Sequence, residues 1–253
     1  HYRQFALFGS GWVKPHWAAL KNLLQLGIPM GLSYLIEVTA FAFMALFIAR
    51  LGEVAVSGHQ LTANFGTILY MLPLSIASAS GTLVAQAIGA NRFDLAEQIG
   101  KAGIVFAILL ALPLGVTIWF AKPWILHAYT SNPVIIAAAL PLFSFICFYQ
   151  VFDGIQVTVA FILRAYKIAI VPTILYALAL WGCGLGGGYL LGLDPYSISP
   201  DYIQGAAGFW LANSISLAIV ATALYSYLRL VQRRFAHFAA TETARPAHLN
   251  KLS

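Results

Sequence analysis

Apolar residues along this chain run in long blocks, and the charges gather in clusters between them. Residues 54–91, 102–121, 168–193 and 202–228 carry no Asp, Glu, Lys or Arg, while 22–49 and 123–163 are each interrupted by a single acid, Glu37 and Asp153. A bilayer core demands about 20 apolar residues per helix, so the blocks read as six spans near 23–49, 62–88, 102–121, 137–163, 168–193 and 205–228. Helix is forced, because in hydrocarbon the backbone must satisfy its own hydrogen bonds and the runs are too long for barrel strands. The expected fold is an all-α membrane protein: a six-transmembrane-helix bundle over 22–230, a linker or interfacial segment over 1–21, and a basic tail over 231–253.

Composition supports the same solvent. A soluble domain wets its surface with roughly a quarter charged residues; here 9% are charged and 60% are apolar. The lipid bilayer is therefore the first expected partner.

Lys and Arg set the orientation. The N-terminal segment, the second and fourth connections and the tail hold 12 of them, from Arg3 to Lys251, whereas the opposite face holds 2, Arg50 and Lys122. By the positive-inside rule both termini are cytoplasmic. The net charge of +6 is then a topology signal, and no nucleic acid partner is expected. The chain opens with His1, without Met, and its first apolar run is too long for a signal peptide, so a piece of something larger is expected.

Trp12 and Trp17 flank Lys14 before the first span, and Trp119 and Trp124 close the third, as interfacial anchors do. Pro73 and Pro113 fall within spans, and Gly182, Gly184, Gly186, Gly187 and Gly188 crowd the fifth, where they suit either a bend or close packing. Cys147 and Cys183 lie inside spans as small apolar groups, with no disulfide or metal site expected. The connection 192–204, with two Asp and two Pro, reads as an external turn-rich loop without chemistry.

The candidate chemistry rests on Glu37 and Asp153, near the centres of the first and fourth spans. An ionised carboxylate there costs at least about 2.5 kcal/mol, and no Lys or Arg lies mid-span to offset it. Arg164, nearest in sequence to Asp153, stands roughly 16 Å further along the helix axis. Protonation, water in a cavity or an exchangeable cation remain, and an exchangeable proton or hard cation suits the oxygen ligands of Glu37 and Asp153. Tyr149, Asp153 and Gln156 share one side of the fourth span. Ser33, one turn from Glu37, and Gln60, at the outer start of the second span, are further candidates for a polar lining.

Catalysis is a poorer reading of the same pair. An aspartic-protease dyad in the membrane would need a Gly-x-Gly-Asp motif, which is absent, and one acid here is Glu. No P-loop or dinucleotide fingerprint appears. His59 and His127, at the outer boundary, are expected to be exposed interface residues. No cofactor is expected beyond a coupling ion, and the protein is not expected to be an enzyme.

Several stretches resemble the multidrug and toxic compound extrusion (MATE) family, particularly its NorM branch. They are Leu26-Gly27-Ile28-Pro29 followed by Glu37-Val38-Thr39, the block from Leu51 to Asn91, and Asp153-Gly154-Ile155-Gln156 followed by Leu163-Arg164 and Pro172. The resemblance implies the C-terminal lobe of a twelve-helix antiporter in a bacterial inner membrane, with the N-terminal six-helix lobe as its partner. It implies that Glu37, Asp153 and Tyr149 are coupling residues for Na+ or H+, that the substrates are small amphipathic organic cations or drugs, and that export proceeds by alternating access. The rivals are a lipid-linked oligosaccharide flippase of the same superfamily and a structural membrane subunit that binds no ion.

Overall fold

The computed structural model describes residues 16–197, 199–200 and 203–243, with side chains through 235. The described residues form helices joined by short turns. They are α1 (Trp17–Ala49), α2 (Glu53–Gly89), α3 (Phe93–Tyr129), α4 (Pro133–Ala165), α5 (Ile170–Gly192) and α6 (Ala206–Thr243), each long and apolar enough to cross a membrane. Most overrun the apolar blocks that announce them. The 37 residues of α2 measure about 55 Å at 1.5 Å per residue, against about 30 Å of hydrocarbon. Hydropathy marks only the lipid-embedded part, while the helix continues into the interface with its polar end, as α2 does from Glu53 and α3 from Phe93 and Asp94. Residues 17–21, read with the linker, are already the first turns of α1. Trp12, Lys14 and the tail from 244 lie outside the described residues.

Helix α4 is the hub, packed between α2, α3 and α6, while α1 leans on α5 and α2. Small residues allow the close approaches. A Cβ at Gly81 of α2 would stand 3.1 Å from the Phe161 carbonyl oxygen, and one at Gly115 of α3 would stand 2.9 Å from that of Cys147. Without a hydrophobic driving force between helices in lipid, such backbone proximity is a main source of cohesion. Outward faces carry large apolar side chains such as Leu109, Phe120 and Leu178, as lipid contact requires. Trp17, Trp119 and Trp124 are exposed, with Lys122 Nζ lying 4.0 Å from the Trp119 ring centroid. Cys147 and Cys183 are both free thiols.

Polar links join the helices where they matter for the site. Ser33 Oγ of α1 lies 2.7 Å from Thr173 Oγ1 of α5, and both hydroxyls also reach the Pro29 carbonyl oxygen. Trp181 of α5 donates its indole N–H to the Ile36 carbonyl, one residue before Glu37. At one end of the bundle Glu97 of α3 pairs with Lys101 at 2.7 Å and with Arg229 of α6 at 3.3 Å. In the 192–204 connection, Asp194 accepts from the Ser199 backbone N–H and the Gln204 side-chain amide, so its acid organises the loop.

The glycine-rich part of α5 does two things. Residues Ala177–Gly186 form a wide π-helical segment between α-helical ends, and Gly188 and Gly192 sit directly against the Phe209 ring. A widened helical segment and close packing are therefore both present.

Candidate functional site

A cavity of about 400 Å³ lies among α1, α2, α4 and α6. Its rim carries the exposed Tyr34, Gln60 and Thr67, and its floor the buried His59, Ile146, Asp153 and Trp210. Glu37 from α1 and Asp153 from α4 both line it, so the two membrane acids, 116 positions apart in sequence, share one space. Neither acid has a Lys, Arg or His partner within ion-pair distance among the described residues. Arg164, the basic residue nearest to Asp153 in sequence, forms no ion pair with either acid among the described residues. Its guanidinium is stacked over Phe161, 4.7 Å from the ring centroid.

Asp153 is 2% exposed, and Gln156 donates its amide N–H to Asp153 Oδ1 at 3.0 Å. The amide's other atom, Gln156 Oε1, is buried and receives no donor. A buried orphan acceptor costs about 1–3 kcal/mol, so this oxygen, on the side chain tied to Asp153, is a place where a proton or a cation would be welcome. Among the described residues no three His, Cys, Asp or Glu side chains cluster. The donor set is instead two carboxylates with neutral oxygens, a set for a proton or a hard monovalent cation rather than a soft metal.

Aromatic side chains make the remaining wall. Tyr149 lies edge-on to Phe41 at 6.2 Å and to Trp210 at 5.9 Å between ring centroids, and Tyr70 and Tyr34 complete the lining. Such rings present negative faces to cations and apolar area to the rest of an amphipathic molecule.

The sequence candidates separate here. Glu37, Asp153, Tyr149 and Gln60 line the cavity. Gln156 supports it from behind through Asp153, and Ser33 is committed to the α1–α5 link with Thr173. His127 is exposed, as expected, but His59 is not: it is 1% exposed and accepts the Trp210 indole N–H on Nδ1 at 3.2 Å. The reason is local. Gly58 packs against Ala138 and Ala139 of α4, which turns this end of α2 and its histidine into the bundle. Sequence reasoning also missed Trp210 and Tyr70, because aromatic residues inside apolar spans carry no signal that separates a cavity wall from a lipid-facing side.

A MatE family model matches residues 29–190. The chain is 41% identical over 234 residues to a probable multidrug resistance protein NorM of Aromatoleum aromaticum, covering 92% of this chain and 50% of that relative. It is 33% identical over 232 residues to one of Neisseria meningitidis serogroup B, covering 92% and 49%. Among solved structures, a MATE in the bent conformation superposes with a TM-score of 0.80 at 18% identity, covering 90% of this chain and 49% of that one. The eukaryotic MATE transporter AtDTX14 gives 0.79 at 16%, covering 89% and 50%. The structural likeness speaks to the fold, and the chain spans about half the length of the relatives it matches. With six membrane-length helices and these relatives, this is a multi-pass membrane protein. The family match covers most of the bundle and the aligned relatives nearly all of the chain, so the chain belongs to the MatE family.

Proposed function

We propose that this chain is one lobe of a cation-coupled exporter of amphipathic organic cations in a bacterial inner membrane. The observation that carries the reading is the pair Glu37 and Asp153, set without an ion-pair partner among the described residues in one aromatic-lined cavity. Two carboxylates attract a cation, and the rings of Tyr149, Trp210 and Tyr70 offer apolar and cation–π contact to the body of the substrate. Na+ or H+ taken up at the carboxylates removes the charge that held the substrate, so ion entry and substrate release are alternatives at one site. A ligand shifts a conformational equilibrium only through different affinity for its states. Neutralising the acids supplies that difference and drives alternating access against a second six-helix lobe, for which the match to only half the length of the relatives leaves room. A passive scaffold would have no use for two such acids.

The test uses the full-length transporter in liposomes. Efflux of a fluorescent organic cation should follow an imposed Na+ or H+ gradient and stop in Glu37→Gln and Asp153→Asn. Undiminished gradient-driven efflux in both variants would remove the proposed coupling site.

A further inference from the structure

The coupling reading leaves one buried polar side chain of the cavity unused. His59 lines the cavity, is 1% exposed, and receives the Trp210 Nε1–H on Nδ1 at 3.2 Å. An indole N–H can only donate, so Nδ1 must be the unprotonated nitrogen and the neutral ring carries its hydrogen on Nε2. Nε2 has no hydrogen-bond partner among the described residues. Trp210 is itself 1% exposed and fixed against Tyr149 and Phe41, so the tautomer is held by a rigid neighbour.

Resting on the proposed function of the cavity, we infer that His59 is a specificity-determining residue whose Nε2–H is a fixed donor for an acceptor atom carried by the bound organic cation, with Trp210 as its positioning residue. The carboxylates and rings recognise charge and apolar body, features shared by very many cations. A single oriented donor adds a different criterion: a carbonyl or ether oxygen placed away from the charged head. A buried donor left unmet disfavours a ligand lacking that oxygen, so discrimination follows from the unpaired state as much as from the bond.

The test is binding to the purified full-length protein of two probes of equal charge and nearly equal shape, para-acetylbenzyl-trimethylammonium and para-isopropylbenzyl-trimethylammonium, by isothermal titration. The wild type should prefer the acetyl probe by roughly 3- to 10-fold, the range of one neutral hydrogen bond. His59→Phe should bind both equally. His59→Gln, whose amide can accept from Trp210 and still donate, should regain part of the preference, which a merely structural role for His59 would not produce. Trp210→Phe frees the tautomer and should lower the preference too, and it replaces His59→Phe in the comparison should that variant fail to fold. If both probes bind the wild type and the preference is absent, or persists in the variants, His59 is only a link between α2 and α6 and the inference falls. If neither probe binds the wild type, the proposed function of the cavity falls and takes this inference with it.

Discussion

Gln156 donates to Asp153 across 3.0 Å while its own carbonyl oxygen stays buried without a donor. The amide is thus tied to one acid by its nitrogen and offers the other atom to whatever neutralises the pair. Replacing Gln156 with Met keeps the volume and removes both functions. The expected result in the full-length protein, with Na+ coupling, is a cation affinity lower by about 10-fold, or about 1.4 kcal/mol, measured as the shift in the Na+ concentration that half-saturates thermal stabilisation; with H+ coupling the lost donor to the Asp153 carboxylate moves the midpoint the other way, to lower H+ concentration. An unchanged midpoint would show that the orphan oxygen takes no part.

The acids themselves should behave differently from structural links. Removing an unpaired buried charge relieves a desolvation cost, so Glu37→Gln and Asp153→Asn should be no less stable than wild type in cation-free buffer. A bound cation stabilises the state that binds it by RT ln(1 + [L]/Kd). Wild type should therefore gain melting temperature as Na+ rises or, with protons coupling, as pH falls, and both variants should lose most of that gain. Tyr149→Phe should lose less, since one neutral oxygen goes and no charge does. Variants that fail to fold without cation would instead mark the acids as interhelical ties.

Orientation can be read by labelling. In a background carrying Cys147→Ala and Cys183→Ala, an impermeant maleimide applied to cells should modify Tyr196→Cys and spare Arg92→Cys until the membrane is opened. Both positions are exposed, so accessibility to the reagent reports the side of the membrane. The opposite pattern would reverse the topology drawn from the Lys and Arg count.

Packing at α4 should be intolerant of a single methyl group. Gly115→Ala places a carbon 2.9 Å from the Cys147 carbonyl oxygen, a backbone atom that cannot swing aside, and should cost about 1–3 kcal/mol in thermal unfolding. Gly27→Ala on α1, with nothing within 4 Å, is the control and should leave the melting temperature unchanged. Equal stability of the two variants would mean that α3 and α4 are less closely packed than described.

The sequence alone determined what the bilayer dictates. Lipid penalises charge and unpaired backbone at every position, so apolar blocks had to be helices, and Glu37 and Asp153 stood out because they violated the rule. Helical period also placed Tyr149 on the same side of α4 as Asp153. Only the tertiary structure decided which residues of different helices meet, because faces in contact are chosen by close packing, and glycine, alanine and aromatic residues are equally at home against lipid and against protein. Gly58 fitting onto Ala138 turned His59 inward to Trp210, and the α1–α5 link through Thr173 drew Ser33 away from the cavity. The arrangement of α1, α2, α4 and α6 around one cavity brought Glu37 and Asp153 to a common space. The chemistry was legible as two costly charges; that they line one cavity followed from packing that hydropathy does not record.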